Sequence, residues 1–428
     1  MKLKAFILSS LLLSSSNLSA AIMKPINGVI NQVEPVIEQL KPNIRQPGDD
    51  LRKLELIDSA ANLSTGLPVR LPIVNKLNEP VFVEVEVEQG FRAVERQWVI
   101  LAEQHHQAKL AQIGAQIVNH KQYEGLGLSL VSFVVPPSYD SKTKLQALLS
   151  LDESALLDRN HIYQAQMRAQ QGSLTKPRKP WCEIPVKVGM IDSAVDMEHP
   201  GFAAAQIKTQ SFLPNQLASP SQHGTAIAGV MVGKHAQLTP RLTQATLYSA
   251  AVFYRQSDLS QGATLAAIVD ALNWLVSSGV PVINMSFTGP DNAILAAAID
   301  ATTAKQVTLV AAAGNEGPAA RPLYPAAYKN VIAVSAVNKE GAIYRWANQG
   351  DYIDFTALGV SVLTLQAGEG LGRESGTSMA APHISAAAAC LAAKSKATPE
   401  SIYGQLEQLA KDLGEPGKDA VFGYGLID

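Results

Sequence analysis

The sequence has few cysteines and few charges, and its charges of opposite sign nearly balance. Its 428 residues include 2 cysteines, and 17% of the residues are charged, with 35 basic against 37 acidic side chains. Because nucleic-acid-binding chains normally carry a clustered basic excess, the net charge of -2 argues against a nucleic-acid partner. The hydrophobic fraction of 47% is enough for a large core, and the length favours two domains.

Metal-binding motifs such as HExxH and CxxC are also missing. Since such motifs are typical of zinc sites, we predict no metal and no cofactor. The two cysteines, Cys182 and Cys390, leave two interpretations open. An isolated pair in an oxidising compartment can form a disulfide, and two thiols can equally be buried as small hydrophobic side chains.

The first 21 residues have the three-part layout of a secretory signal peptide. Lys2 and Lys4 precede an apolar run at residues 5–13, and small residues follow as far as Ala21. A membrane anchor is the alternative, but the run is shorter than the roughly 20 residues that a spanning helix needs. No cysteine lies near the cleavage region to carry a lipid. We therefore expect export to the periplasm or the extracellular space, with no stable membrane span.

The segment up to residue 181 divides into three parts. Residues 22–78 mix Pro, Asn and polar residues, which indicates a poorly defined lead-in. Residues 79–163 are predicted to form a small α+β domain, with strands at 81–87, 97–102, 115–120 and 128–135 and helices at 103–113 and 141–151. Residues 164–181 are dense in Gln, Lys and Pro, which predicts a linker and a zone of proteolytic maturation.

Residues 182–428 show short β-rich apolar runs that alternate with helical segments. This alternation indicates an α/β fold in which a parallel sheet is covered by helices on both faces. In such folds the carboxyl ends of the strands form the edge at which functional residues gather. Polar residues that directly follow the predicted strands are therefore candidate functional residues.

Three polar residues are expected at that edge. Asp192 ends the strand VGMI, His223 begins the small-residue segment HGTAIAGV, and Ser378 follows a glycine turn in SGTSMAAPH. Taken singly, each is more often a cap, a turn or a structural side chain. Together they suit nucleophilic catalysis, because a serine hydroxyl needs an imidazole to take its proton and a carboxylate to hold the imidazole's tautomer.

These segments resemble the subtilisin-like serine protease family (subtilases, peptidase S8). The resemblance covers residues 185–428 and includes IDSAVD, HGTAIAGV, GTSMAAPH, AAAGNEG, VINMSF and FGYGLID, with Asp, His and Ser in the order typical of subtilisins. It implies a subtilisin-like sandwich and a serine endopeptidase that forms an acyl-enzyme intermediate. It also implies that Asp192, His223 and Ser378 form the catalytic triad and that Asn315 donates to the oxyanion.

The resemblance extends to substrate binding. Polypeptide substrates are expected to pair as an added strand along one wall of the cleft. The implied substrate-binding residues are Ser286, Phe287, Thr288, Gly314 and Leu323. Relatives often have a small residue at the base of the first specificity pocket, where this chain has Leu323, so we predict a shallow pocket that prefers small side chains such as Ala.

The small α+β domain resembles the propeptides of this family. We therefore expect a zymogen that matures itself, with its own N-terminal domain as its first partner, and a monomeric product. Parallel sheets made of distant strands fold slowly, so a preformed surface that binds the folding intermediate would help. The alternative is a permanent second domain.

Two substitutions depart from the family pattern, namely Ala194, where Gly is usual, and Ala226, where a second His is usual. Neither removes a group that transfers a proton. Residues 234–244 also lack the Asn- and Gly-rich loop that often binds calcium in relatives, and we predict no calcium there. Two alternative functions remain, a catalytically silent peptide-binding protein and an esterase that uses the same triad.

Overall fold

The structure, a computed structural model, describes residues 67–101, 104–151, 156–165, 168–169, 179–214, 216–258, 260–368, 370–395 and 397–428. The predicted signal peptide lies outside these residues, as do most of the predicted lead-in and most of the predicted linker. All of the described residues belong to one compact unit, Leu67–Asp428. Within them, no helix is both long and apolar enough to cross a membrane.

An antiparallel sheet with two helices forms the N-terminal part of this unit. Its elements are β1 (Arg70–Val74), β2 (Pro80–Glu86), β3 (Arg92–Leu101), α1 (Gln104–Gln112), β4 (Gln116–Tyr123), β5 (Leu128–Val134), α2 (Lys142–Leu149) and β6 (Leu157–Ala165). Trp98 and Phe133 point from the sheet into a core that Leu110 and Leu145 of the helices complete. The strands alternate apolar and polar residues, so one face can pack against the helices. β1 lies inside the predicted lead-in, so the sheet begins earlier than residue 79.

A parallel sheet of seven strands forms the second part. In spatial order its strands are β17 (Phe355–Leu358), β16 (Val331–Val337), β15 (Thr308–Ala312), β13 (Val282–Met285), β8 (Val186–Asp192), β10 (Ala245–Ala251) and β9 (Gln206–Ser211). Shorter strands outside this sheet are β7 (Arg168–Ala169), β11 (Tyr254–Arg255), β12 (Gln261–Thr264), β14 (Phe287–Thr288), β18 (Val362–Leu365) and β19 (Leu371–Ser375).

Helices cover both faces of the parallel sheet and create two cores. The core on one face includes residues of α3 (Gln222–Val232), α6 (Thr377–Ser395) and α7 (Pro399–Leu409). The core on the other face includes residues of α4 (Leu265–Ser277) and α5 (Ala293–Ala304). The strands are almost entirely apolar because they are buried on both sides. The predicted parallel α/β fold, preceded by a small α+β unit, is confirmed.

The N-terminal sheet is joined to the second part through β6. The first residues of β6 pair with β3, and its last residues pair with β12 on one side and β14 on the other. Side chains of β6 also cap two helices. Asp158 Oδ2 accepts a hydrogen bond from the backbone N–H of Ala293 at 3.0 Å, and Asn160 Oδ1 accepts one from the backbone N–H of Ala266 at 3.1 Å. These backbone N–H groups lie in first helical turns, where they have no partner within the helix.

Cys182 and Cys390 are joined by a disulfide, with their Cα atoms 5.6 Å apart. This settles the choice that the sequence left open. The bond links the segment before β8 to α6, across a separation of 208 residues. A disulfide stabilises a protein mainly by restricting the unfolded chain, so this one ties the beginning of the second part to its buried helix.

Candidate active site

Asp192 is the last residue of β8, and its side chain is fully buried. β8 lies between β13 and β10 near the middle of the parallel sheet. The backbone N–H of Ser193 donates to Asp192 Oδ1 at 2.6 Å, whereas Oδ2 has no hydrogen-bond partner within the described ranges. The carboxylate therefore occupies the carboxyl edge of a central strand, where the sequence placed it.

His223 lies in the first turn of α3 and is 1% exposed. The next residue, Gly224, lets the helix approach the chain beyond β8 closely, because a Cβ there would overlap the carbonyl oxygens of Ser193 and Ala194. His223 Nδ1 lies 2.7 Å from Asp192 Oδ1. Nε2 is buried without a hydrogen-bond partner in the described part of the chain. Because a carboxylate can only accept, Nδ1 is the donor in this contact, and a neutral imidazole in this tautomer presents a lone pair at Nε2.

Ser378 lies in the first turn of α6 and is fully buried. Gly376, with φ 146°, provides the turn that leads into this helix. Ser378 Oγ donates to the carbonyl oxygen of Ser286 at 3.2 Å, and Ser286 Oγ donates to the carbonyl oxygen of Ser378 at 3.0 Å. The hydroxyl therefore has a carbonyl acceptor at the start of the cleft wall in this state, rather than the imidazole of His223.

Asn315 is held against the turn before Ser378. Its Oδ1 accepts from Thr377 N at 2.9 Å and from Thr377 Oγ1 at 3.0 Å. Gly314 N in turn donates to Thr377 Oγ1 at 3.1 Å. Because the amide oxygen is used by Thr377, Nδ2 is the group with which Asn315 can donate elsewhere. The amide lies beside the residue that precedes Ser378, and it is 6% exposed.

A strand of the chain itself runs along the predicted cleft wall. Phe287 pairs with Ala165 and Thr288 pairs with Gln164, in antiparallel register. On the opposite side Gln164 pairs with Gly262. β12 thus forms a second wall, which the sequence did not indicate because its residues QGAT have no apolar periodicity. β6 ends as a strand inserted between β14 and β12.

A second pairing involves the strand that leads to Ser378. Arg168 pairs with Ser375 and Ala169 pairs with Glu374, so β7 is an antiparallel neighbour of β19. β19 ends at Ser375, three residues before Ser378. Gln164–Ala165 therefore pairs with the strand that follows Ser286, which contacts Ser378, and Arg168–Ala169 pairs with the strand that leads to Ser378. The predicted linker begins with these paired residues. Backbone pairing holds them in place, and their side chains show no periodicity that would predict a strand.

The predicted pocket residues Leu323 and Gly314 are neighbours. Leu323 is 1% exposed, and its Cδ1 lies 3.0 Å from the place where a Cβ on Gly314 would be. The φ of Gly314, 115°, also favours glycine.

Burial raises the pKa of the nearby Glu316 carboxyl, and the positive charge of Arg321 opposes that rise. Tyr352 donates to the carbonyl oxygen of Ala313, and burial raises the pKa of its phenol to about 12.

The described residues contain no group of three or more His, Cys, Asp or Glu side chains able to hold a metal ion. Glu374 is a buried acid near the site that the sequence analysis missed. Its only signal was an acidic residue four positions before the predicted nucleophile, which is not distinctive.

A parallel α/β sheet with buried Asp, His and Ser side chains at its carboxyl edge defines a subtilisin-like protein. Residues 184–425 match the Peptidase_S8 model, described as the Subtilase family. Because this match covers more than half of the chain, the protein belongs to the subtilase family.

Similar proteins include the Minor extracellular protease Epr of Bacillus subtilis (strain 168), 30% identical over 250 residues, or 56% of this chain and 37% of that one. Subtilisin E of the same organism is 32% identical over 253 residues, or 57% of this chain and 64% of the relative. The chain thus spans less than two thirds of the length of these relatives.

Solved structures support the fold. Fervidolysin from Fervidobacterium pennivorans, a keratinolytic enzyme related to subtilisin, matches with a TM-score of 0.66 at 19% identity, over 85% of this chain and 63% of its own. The Prenylagaramide maturation protease PagA matches with a TM-score of 0.50 at 27% identity, over 57% of this chain and 90% of its own.

Proposed function

We propose that this protein is an exported serine endopeptidase in which Asp192, His223 and Ser378 act as the triad. The observation that carries the proposal is the 2.7 Å contact between His223 Nδ1 and Asp192 Oδ1, together with the buried Nε2, which has no partner among the residues that the structure describes. This is the tautomer that a general base needs, because Nε2 can then take a proton. Family membership supports the same assignment.

In the proposed mechanism, Ser378 Oγ leaves the carbonyl oxygen of Ser286 and turns towards His223. A serine hydroxyl rotates readily to suit its partner, and catalytic hydrogen bonds are often completed only when substrate binds. Oγ then attacks the peptide carbonyl while Nε2 takes its proton. The imidazolium passes this proton to the leaving amine, and water hydrolyses the acyl-enzyme by the same route in reverse. Asp192 stabilises the imidazolium throughout.

The oxyanion that forms during attack needs donors. Asn315 Nδ2 is suited to this role because Thr377 occupies the amide oxygen. The backbone N–H of Ser378 is a second donor, since it lies in the first turn of α6, where N–H groups lack helical partners. The positive end of the helix dipole adds to the same field. One donor of this kind typically contributes about 3 to 4 kcal/mol to transition-state stabilisation.

Extended polypeptides are the proposed substrates. The chain's own Gln164 and Ala165 already pair with Thr288 and Phe287, which demonstrates that an extended backbone fits between β14 and β12. Substrates would take the same place by strand addition. A small ester has no backbone to make such pairs, and this favours an endopeptidase over an esterase. Ser286 and Leu323, with Gly314, would complete the substrate site.

We also propose that the enzyme matures itself. Two features support this: β6 occupies the cleft between its walls, and β7 pairs with β19, the strand that leads to Ser378. The bond cut in maturation would then lie between Ala165 and Arg168. The N-terminal unit, predicted at residues 79–163 and extended by β1, would act as a propeptide. The cut would fall inside the predicted maturation zone at residues 164–181, so the mature chain would begin before the predicted peptidase boundary at residue 182. The disulfide is consistent with export to an oxidising compartment.

The test compares the wild type with Ser378→Ala, both expressed as the full chain in an exporting host. Wild type should yield a shorter chain whose N-terminus, read by sequencing and intact mass, lies between residues 166 and 168. Ser378→Ala should accumulate as the exported precursor. Equal masses after signal removal would refute self-maturation. Labelling with a serine-reactive phosphonate then distinguishes an active enzyme from a catalytically silent protein. Comparing the hydrolysis of casein with that of a simple ester distinguishes a protease from an esterase.

A further inference from the structure

Glu374 is a buried carboxylate that the proposed mechanism does not use. It lies in β19, four residues before Ser378, and is 1% exposed. Oε1 accepts one long hydrogen bond, 3.3 Å from Gln366 Nε2, and Oε2 has no hydrogen-bond partner among the described residues. Burial raises the pKa of this carboxyl, while the Gln366 hydrogen bond and the positive charge that His223 carries when protonated oppose the rise. A buried carboxylate oxygen without a donor is costly, so a ligand that supplies a donor to Oε2 would be favoured beside the site.

The sheet β18–β19–β7 places Glu374 between two other residues. Its Cα partner on β18 is Val362, and its partner on β7 is Ala169. Side chains that lie directly opposite each other in an antiparallel sheet share a face and have Cβ atoms about 5 Å apart. Neither valine nor alanine carries a hydrogen-bond donor in its side chain. Neither cross-strand neighbour can therefore supply the hydrogen-bond donor that Oε2 lacks.

The two neighbours differ in whether a substrate would replace them. Val362 belongs to β18, which is a permanent part of the sheet. Ala169 belongs to β7, which follows the segment paired with the cleft wall. A polypeptide substrate that extends past Ser378 would take the place of β7 along β19. The residue opposite Glu374 is thus the one that changes from substrate to substrate.

We propose that Glu374 is a specificity residue for the leaving-group side of the substrate, where it selects Lys or Arg at the position that Ala169 holds in the intact chain. This inference rests on the proposed peptidase function. A basic side chain at that position would supply the donor that Oε2 lacks and a charge to match. Hydrogen bonds between charged groups are stronger than neutral ones. A net gain of about tenfold in affinity is the size expected for one such bond.

The first experiment does not depend on catalysis. In full-length Ser378→Ala, Ala169→Lys is compared with Ala169→Gln, its long but neutral control, with and without Glu374→Gln. Ala169→Lys should raise the midpoint of thermal unfolding by about 2 °C over Ala169→Gln, and Glu374→Gln should abolish that difference. Equal midpoints for Lys and Gln while Glu374 is present would overturn the proposal.

The second experiment uses the mature enzyme and peptides that copy residues 160–172, with Lys, Gln or Glu at the position of residue 169. The Lys peptide should have a kcat/KM about tenfold above that of the Gln peptide, and Glu374→Gln should remove the preference. A preference that survives Glu374→Gln would overturn the proposal. If no peptide is cleaved, the peptidase function fails while the unfolding experiment still decides the role of Glu374.

Discussion

His161 Nδ1 accepts a hydrogen bond from Asn292 Nδ2 at 2.8 Å. The direction is fixed because Asn292 Oδ1 caps α5 by accepting from Ile294 N and Leu295 N at 3.0 and 3.2 Å. Asn292 Nδ2 also donates to the carbonyl oxygen of Arg159. An amide nitrogen cannot accept, so His161 Nδ1 must be unprotonated. One neutral histidine thus links β6 to a helix of the peptidase part.

This link should make the docking of the N-terminal unit sensitive to pH. Burial lowers the pKa of His161 from 6.5 to about 4; Asp158 and Glu88 oppose this shift, and Arg159 and Lys142 add to it. Between these values the unfolded chain binds more protons than the folded chain, so stability rises with pH. The contribution should be fully present above about pH 6.5 and lost as the pH falls towards 4, with a ceiling of about 3 kcal/mol.

Urea unfolding of full-length Ser378→Ala at about pH 4.5 and pH 7 measures this effect. The matched control adds His161→Asn, which keeps an acceptor near the Nδ1 position but cannot be protonated in this range. We expect the control to lose less stability on acidification, because other groups titrate in both chains and cancel in the comparison. An identical loss in the two chains would mean that His161 does not carry the effect.

Asn315 offers a direct test of the oxyanion assignment. Asn315→Ala should lower kcat by about 10²- to 10³-fold and leave KM nearly unchanged, since the donor acts on the developing negative charge. The side chain also accepts from Thr377, so the variant must be shown to fold. Thr377→Val is the control, because it removes the hydroxyl contact while keeping Asn315. A comparable loss of kcat in Thr377→Val would indicate that positioning, rather than oxyanion donation, explains the result.

Gly289 and Tyr163 provide a test of how closely β6 packs against the segment that follows β14. Tyr163 is fully buried, donates to the carbonyl oxygen of Pro290 at 3.2 Å and packs edge-on against Phe287. A Cβ on Gly289 would overlap the Tyr163 ring. Gly289→Ala should therefore lower the thermal midpoint of full-length Ser378→Ala.

Gly289→Ala should lower the thermal midpoint much less in a chain that already carries Tyr163→Ala. The effects of substitutions at residues in contact are not additive. Gly404→Ala is a useful comparison, because a Cβ there meets no atom within 4 Å. If Gly289→Ala costs the same with and without the tyrosine ring, the overlap is not the cause.

The sequence predicted the parallel sheet and placed Asp192, His223 and Ser378 at its edge, because periodicity and local turns record these features directly. It did not predict the insertion of β6 between β14 and β12. That pairing joins residues about 100 or more positions apart and depends on backbone groups, which every residue carries. The environments of Glu374 and His161 were not predicted for a related reason. Their environments arise from burial and from partners supplied by other strands and helices.

The last prediction concerns Leu323, which fills space beside Gly314. If it forms the base of the first specificity pocket, the enzyme should cleave after Ala in preference to Phe or Tyr. Leu323→Gly should open the pocket and shift the ratio of kcat/KM for Phe over Ala upward by about tenfold or more. Leu323→Met conserves volume and should leave the ratio nearly unchanged.

A panel of peptides that differ only in the residue before the cut measures this ratio. Because Leu323 is 1% exposed, its removal also creates a cavity and should cost about 2 to 5 kcal/mol of stability. Each variant therefore needs a thermal midpoint well above the assay temperature. A wild-type enzyme that favours Phe over Ala by a wide margin would show that Leu323 does not restrict the pocket, since a filled base cannot accept the larger ring.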